Sequence, residues 1–199
     1  YGLDNIASTL PKLNITTSGS MHKRMYWENV IKKVLLSHGY SEVYTYSFAN
    51  KGDVEILKPI SKDKSKLRTN LSDGLAIAMQ SNLQNMPILD QKDIRIFEFG
   101  NCFKASADGS VFEWRSLVVG IDDGKKKSNF ISIADNMMLD MAKSLDIDLE
   151  DLNELVFKRS DKPIIYEIDF DKLIESLPTP DVNCILSSAN SGKYKTFSL

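Results

Sequence analysis

The residues best suited to metal or nucleophilic chemistry in this sequence are two cysteines and two histidines, and they lie far apart. Cys102 and Cys184 have no CxxC spacing, and only His22 and His38 could complete a ligand set, so the usual ligand pairs of a zinc site are missing. Two ordinary reduced thiols are the simpler interpretation. His38 follows an apolar helical pattern, where a partly protonated imidazole suits the helix dipole. We therefore predict neither a metal site nor a catalytic histidine.

Charged clusters offer two further candidate sites. Asp146, Asp148, Glu150 and Asp151 could form a carboxylate site, but no partner that would orient them is visible, and solvated carboxylates are the simpler interpretation. The lysine run at 125–127 is either a solvated loop or an RNA contact, and its shortness favours the loop. The patterns GxxxxGK[ST], GxGxxG, HExxH and GxSxG are absent from the sequence. The residues alone therefore support no phosphate-cradling loop, zinc hydrolase or serine nucleophile.

Composition places the chain among ordinary globular proteins. Of its 199 residues, 42% are hydrophobic and 26% are charged, which is far from the disordered and membrane classes. A net charge of −2 argues against binding nucleic acid by bulk electrostatics, because phosphate neutralisation needs clustered lysine and arginine. The apolar runs are short and Tyr1 begins no secretory leader, so we expect a cytoplasmic protein without a membrane segment.

The first half of the chain predicts two helices and two strands. After a linker-like run, apolar residues recur at helical spacing from Met21, with Ser20 as a possible cap and Gly39 as the stop. Residues 42–48 alternate as a strand would, and residues 55–57 before Pro59 suggest a second short strand. The next helix should span 72–85, with Ser72 and Asp73 suited to its N-terminal cap. Its apolar stripe comprises Leu71, Leu75, Ala78, Met79 and Leu83.

The second half predicts a β-hairpin, a methionine-rich helix and a final strand and helix. The hairpin joins strands at 93–99 and 113–121, and the helix at 132–145 carries its methionines on a core face. A strand at 163–169 leads into a short helix at 170–177. Hairpins with interspersed helices and no regular βαβ alternation indicate an α+β fold with a mostly antiparallel sheet flanked by helices.

Several segments, read together, resemble one family. Residues 67–75, LRTNLSDGL, are similar to the LRTSLLPGLL stretch of bacterial-type phenylalanyl-tRNA synthetase β subunits, and residues 95–103, RIFEFGNCF, are similar to their RLFEIGRVF. Residues 39–48, GYSEVYTYSF, resemble GYQEVVTYSF, and residues 1–11 resemble the YGYDNIPSTLP that ends the preceding module. The chain is therefore identified as similar to the central, catalytic-like module of that subunit, which implies a class II aminoacyl-tRNA synthetase-like fold.

The resemblance also implies boundaries within the chain. Residues 1–20 would be the tail of the preceding module and a linker, residues 21–177 the synthetase-like module, and residues 178–199 a linker towards a C-terminal anticodon-binding module. We expect the chain to be an excised fragment of a longer subunit. Residues 152–163 depart from the family pattern, since the HPGRSA and GELHP elements are absent.

The class II resemblance further implies which catalytic groups should be present. Class II enzymes place a motif-2 arginine on the α-phosphate of ATP and a motif-3 arginine near the γ-phosphate, because charge developing on phosphate oxygens needs fixed cations. Here Lys104 follows the motif-2 counterpart, and lysine cannot make the planar bidentate contact of arginine. Glu167, Asp169 and Asp171 occupy the motif-3 counterpart and would repel a triphosphate. We expect no catalytic residue and no cofactor in this chain, with ATP and magnesium used elsewhere in the holoenzyme.

A synthetase fold without its chemistry implies a binding role. The resemblance predicts a catalytic α subunit as partner in an (αβ)₂ heterotetramer, with tRNA(Phe) bound through the holoenzyme. We expect the first two helices to supply the subunit interface, since both hold more apolar residues than a narrow stripe requires. The candidate interface residues are Tyr26, Trp27, Arg68, Leu75 and Met79. Tyr26 and Trp27 are equally well explained as core aromatics.

Two other functions fit parts of the same evidence. The chain could itself adenylate an amino acid, but the missing pair of arginines argues against this. It could instead be a free-standing synthetase-like paralogue that binds RNA or regulates a protein partner, and a basic surface would favour that alternative.

Overall fold

The fold is taken from a computed structural model that describes residues 22–88, 91–124 and 130–180. Within it, Lys23–Thr179 form one compact unit, which is the subject of the sections below. The predicted tail and linker at 1–20, the Ser20 cap, the lysine run at 125–127, Cys184 and nearly all of the linker at 178–199 lie outside the described residues. The domain boundaries given above stay predictions.

A five-stranded sheet organises the unit. Its strands are β1 (Ser41–Glu42), β4 (Ile94–Ala105), β5 (Val111–Asp122), β6 (Val156–Asp161) and β7 (Ile164–Asp169), in the order β1-β4-β5-β7-β6. Only β1 runs parallel to its neighbour; every other pair is antiparallel. A separate two-stranded sheet pairs β2 (Phe48–Ala49) with β3 (Lys66–Leu67). The predicted α+β class with a mostly antiparallel sheet is confirmed.

In the described part of the chain, five α-helices flank the sheet. They are α1 (Lys23–Ser37), α2 (Ser72–Asn85), α3 (Ile131–Leu145), α4 (Leu149–Glu154) and α5 (Phe170–Ser176). The predicted methionine stripe is core, because Met137, Met138 and Met141 of α3 are buried. Among the described residues, no helix has the length and apolar content needed to cross a membrane.

The two faces of the sheet bury different helices because side chains alternate along each strand. On one face, Phe97, Leu117 and Tyr166 join buried residues of α1, α3 and α5 in a single core cluster. On the other face, Ile96, Val118 and Ile165 pack with Leu71, Leu75 and Met79 from α2 and the residue before it. Helix α2 therefore covers this second face of the sheet.

The long β4–β5 hairpin confirms the predicted pairing and extends it. Ile94 pairs with Asp122 at one end and Ala105 with Val111 at the other, so the connection comprises only residues 106–110. The strands were predicted to be shorter because polar residues after Phe99 break the apolar pattern. In the structure their backbone groups still pair across the hairpin, which needs no apolar side chain.

The predicted strand at 42–48 is wrong for most of its length. Ser41 and Glu42 pair with β4, and the next amide, of Val43, still donates to the Phe97 carbonyl of β4. Phe48 and Ala49 pair with β3, but residues 44–47 belong to neither sheet. The Arg68 guanidinium donates to the Thr45 carbonyl, and the Arg68 backbone amide donates to the Ser47 carbonyl. Arg68 therefore donates to two backbone carbonyls that a neighbouring strand would otherwise have bound.

One other local prediction needs correction, and two elements were missed. The strand predicted at 55–57 is only an isolated bridge between Glu55 and Lys66. Helix α4 and strand β6 were not predicted, because both are short and charged. The acidic cluster surrounds the start of α4, with Glu150 and Asp151 in its first turn, where carboxylates stabilise the helix dipole. No group of three or more potential metal ligands occurs among the described residues.

Candidate functional site

The side of the sheet that faces α2 is the candidate site, because it combines buried charges with glycines. Glu98 and Gly100 of β4, Ser116 and Gly120 of β5 and Glu167 of β7 share this face by register. Charged side chains are rarely buried without partners. Their partners therefore show whether this face is prepared for a ligand or for another part of the chain.

Arg68 and Glu98 form the first buried group. The Arg68 Nη1 atom lies 2.8 Å from Glu98 Oε1 and 3.0 Å from Thr45 Oγ1, while Nε donates to the Asn101 carbonyl at 2.9 Å. Thr45 Oγ1 donates in turn to the second Glu98 oxygen at 2.7 Å. Each carboxylate oxygen and most of the guanidinium fork is thus engaged inside the protein. This group ties the 43–47 segment and the chain before α2 to the sheet.

Glu167 forms the second buried group at the start of α2. Its carboxylate accepts from the backbone amides of Leu71 at 2.7 Å and Ser72 at 3.0 Å, and from the Ser72 hydroxyl. The side chain is fully buried. The first amides of a helix have no partner within it, and a carboxylate satisfies them and the positive end of the dipole. Helix α2 is therefore capped from the sheet.

This arrangement corrects the predicted cap of α2. Ser72 and Asp73 are the first two residues inside the helix, and no side chain at the preceding position caps it. Asn70 Oδ1 accepts from the Asp73 amide at 3.0 Å, and Glu167 completes the cap from far along the chain. Asp73 instead pairs with Lys158 at 2.7 Å. The hydrogen bond from Lys158, and after it the one from Asn70, lower the pKa of the Asp73 carboxyl.

Two glycines let α2 approach the sheet closely. A Cβ atom on Gly100 would lie 2.3 Å from Arg68 Nη2 and 2.9 Å from Leu71 Cδ2. A Cβ atom on Gly120 would lie 2.6 Å from Met79 Sδ and 2.9 Å from Leu75 Cδ2. Real Cβ contacts are longer than these distances. The space next to these two glycines is therefore filled by side chains of the protein itself.

Cys102 completes this face and is not a nucleophile. Its thiol is buried, with Sγ 3.9 Å from Glu167 Oε1. Burial first, and then the nearby Glu167 charge, raise the pKa of the thiol to about 12, and the thiolate is the reactive form. Arg68, Glu98 and Glu167 are thus committed to structural contacts, while the Ser116 hydroxyl on this face is buried without a hydrogen-bond partner among the described residues.

The three carboxylates of the motif-3 counterpart also have structural partners. Asp169 caps α5 by accepting from the Lys172 amide at 3.1 Å. Asp171 accepts from the Arg115 amide at 2.8 Å and pairs with Arg24 at 2.8 Å. Lys104 is exposed near the end of β4. Both carboxylates are thus used to hold α5 against its neighbours, as Glu167 is used to hold α2.

Comparison with known proteins decides the family. The sequence model of the phenylalanyl tRNA synthetase beta chain CLM domain matches residues 6–163. The chain belongs to this family. It is similar to phenylalanine–tRNA ligase beta subunits of Staphylococcus aureus strains Mu50 and RF122, each 32% identical over 135 residues. That alignment covers 62% of the chain but only 16% of each relative, so the chain spans a small part of their length.

Two solved structures are similar to part of the chain. A pyrrolysyl tRNA synthetase of Desulfitobacterium hafniense is 19% identical, with 62% of this chain and 45% of that one covered and a TM-score of 0.46. An ATP phosphoribosyltransferase regulatory subunit/histidyl-tRNA synthetase of Bacillus halodurans is 14% identical, with 67% and 39% covered and the same TM-score of 0.46. Neither likeness bears on function.

The structure buries four of the five residues predicted at the subunit interface of this CLM domain. Leu75 and Met79 are fully buried between α2 and the sheet, and Arg68 is buried in its ion pair. Trp27 is 8% exposed, and its Nε1 donates to the Pro178 carbonyl at 2.9 Å. Tyr26 is partly buried and meets Trp27 edge to face. Buried residues such as these can support the surface that a partner would contact without contacting the partner themselves. The interface stays a prediction.

Sequence reasoning missed a group of exposed apolar residues beside α2. Tyr44, Tyr46 and Phe48 come from the segment predicted as a strand, and Ile77 lies on the outer side of α2. Their alternation with Val43, Thr45 and Ser47 was visible in the sequence and predicted two faces. The sequence does not show which of these two faces is packed and which stays exposed, because this depends on the contact between Arg68 and Thr45.

Proposed function

We propose that the chain is a non-catalytic module of the β subunit of phenylalanine–tRNA ligase and that it packs on the catalytic α subunit. Family membership supports the subunit, and the position of α2 supports the lack of catalysis. The observation that carries the proposal is the Glu167 cap, because it fixes α2 on the sheet face where a class II enzyme would need space for ATP.

The remaining parts of the proposal follow from that role. ATP and magnesium would be used by the α subunit, and charging of tRNA(Phe) with phenylalanine would take place there. The module would act in the cytoplasm within an (αβ)₂ heterotetramer and contribute structure rather than chemistry. Synthetase modules need such scaffolds, since positioning and electrostatics supply most of the catalysis in phosphoryl and adenylyl transfer.

A binding experiment tests the partnership. Purified α subunit is mixed with the chain and separated on a sizing column, and the fractions are analysed for both proteins. We expect the chain to elute with the α subunit, ahead of its own position when run alone. Separate elution of two folded proteins at micromolar concentration would contradict the proposal. An unrelated class II α-type synthetase chain serves as the control for non-specific association.

A further inference from the structure

An open apolar groove lies between α2 and the 44–67 segment. It consists of two adjoining depressions of about 560 and 410 Å³ that share Tyr46, Phe48, Asp63 and Lys64 in their walls. The first depression is closed on one side by Gly74, Ile77 and Ala78 of α2, and the second by Pro59 and Ile60. The groove is outside the buried face described above, although Arg68 forms part of its floor.

Large apolar side chains that are highly exposed to solvent form the walls of this groove. Tyr44 is 78% exposed, Tyr46 75% and Ile77 70%, and Ile60 is fully exposed. Large apolar side chains that lie side by side on a surface typically mark a binding site for another macromolecule. Single exposed apolar residues need no such explanation, but these residues line two adjoining depressions that share Tyr46.

The rim of the groove carries positive charge that the described residues leave unpaired. Lys51, Lys58 and Lys64 form no salt bridge with any described residue, although Lys64 lies 4.3 Å from the centre of the Tyr46 ring. Two carboxylates also line the groove: Asp73 is paired with Lys158, and Asp63, which lines both depressions, accepts from the Ser61 hydroxyl. The three lysines therefore outnumber the carboxylates beside them. Charge complementarity therefore favours an occupant that places carboxylates near these lysines.

The same contacts favour a protein over RNA. Single-stranded nucleic acids bind by stacking bases on open aromatic faces, and Lys64 covers one face of Tyr46. The aliphatic side chains of Ile60 and Ile77 offer no stacking surface at all. Aromatic and aliphatic walls with a charged rim are typical of protein–protein interfaces.

We propose that this groove binds a segment of the synthetase α subunit that carries apolar side chains flanked by carboxylates. The inference rests on the proposed function, and it moves the contact from the buried residues predicted above to an exposed surface beside α2. Tyr46 and Ile77 are the central contacts, and Lys51, Lys58 and Lys64 orient the segment. The buried Arg68–Glu98 pair holds the 43–47 wall in place beneath it.

Photocrosslinking in the assembled enzyme identifies the occupant. Benzoylphenylalanine replaces Tyr46 in the full-length β subunit, which is then assembled with the α subunit and tRNA and irradiated. We expect a crosslink to the α subunit. The control carries the same group at Leu139, which is 37% exposed on α3 across the sheet. Crosslinks from position 46 only to the β subunit itself, only to RNA, or to no partner would overturn the inference.

Charge variants then separate this inference from the proposed function. Ile77→Glu places a carboxylate against the carboxylates of the incoming segment and should weaken α-subunit binding by about tenfold or more. Ile77→Lys should weaken it less, and Leu139→Glu should leave it unchanged. If wild type binds the α subunit and Ile77→Glu binds equally well, the groove inference falls alone. If folded wild type fails to bind, the proposed function falls with it.

Discussion

At the scale of single residues, buried carboxylates decide what this module can do. Glu98 is 1% exposed and Glu167 is fully buried, yet both have complete sets of donors. A buried charge is tolerated only when paired and hydrogen bonded, so these contacts cannot be exchanged for a ligand without a large loss of stability. The same residue type that would repel a triphosphate in an open site here holds the site closed.

Substitution of Glu167 tests this directly. In Glu167→Gln, the amide oxygen can still accept a hydrogen bond, but the amide NH₂ group is itself a donor. It would face a buried N–H or O–H donor at the start of α2, and that donor would lose its acceptor. We expect the free energy of unfolding to fall by about 2 to 4 kcal/mol. Urea denaturation followed by circular dichroism gives the value. Glu175→Gln, at an exposed position of α5, is the matched control, and equal midpoints for the two variants would contradict the role given to Glu167.

At the scale of elements, α2 is held to the sheet by close packing as well as by its cap. Gly120 and Met79 meet where the helix crosses β5, and Gly100 meets Leu71. Protein interiors are close-packed, so an added methyl group must displace its neighbours. The glycines of β4 and β5 are therefore part of the reason that α2 fills this face.

A double-mutant cycle measures that packing. Gly120→Ala should lower the free energy of unfolding by about 1 to 3 kcal/mol, because its new methyl group overlaps the Met79 side chain. In a Met79→Ala background, the cost of Gly120→Ala should be smaller, since the sulfur it would meet has gone. Urea denaturation of the four proteins provides the cycle. The same cost in both backgrounds would show that the two residues do not compete for space.

At the scale of the whole molecule, the chain keeps a synthetase scaffold and uses both faces of its sheet for packing. One face carries the core with α1, α3 and α5, and the other is filled by α2. An adenylating module needs one face open to ATP and amino acid. Restoring a single phosphate-binding group should therefore not restore activity.

Replacement of Lys104 by arginine tests this expectation. Lys104→Arg supplies the missing motif-2 guanidinium on an exposed position of β4, but the helix above the sheet stays in place. We expect neither wild type nor Lys104→Arg to catalyse ATP–pyrophosphate exchange with phenylalanine above background. The assembled holoenzyme is the positive control. Exchange by either isolated chain would show that the sheet face is open and would refute the non-catalytic proposal.

The sequence alone determined the long periodic elements and the family. The repeat of apolar residues fixed α1, α2 and α3 within a few positions, and alternation identified the β4–β5 hairpin and β7. These signals are local, because a helix or a strand places its buried side chains at a fixed spacing along the sequence. Motif order over the first half of the chain indicated the synthetase family that the comparison confirmed.

Only the tertiary structure decided how the site is closed and which surface stays open. Glu167 caps a helix that begins 95 residues earlier, and Arg68 replaces the strand partner of the 43–47 segment from 23 residues away. Such contacts leave no period in the sequence, because they depend on where folding brings distant side chains. The burial of Trp27 and Met79 and the exposure of Tyr46 and Ile77 follow from the same cause. Spacing marks these side chains as apolar, and only packing determines which of them remain free for a partner.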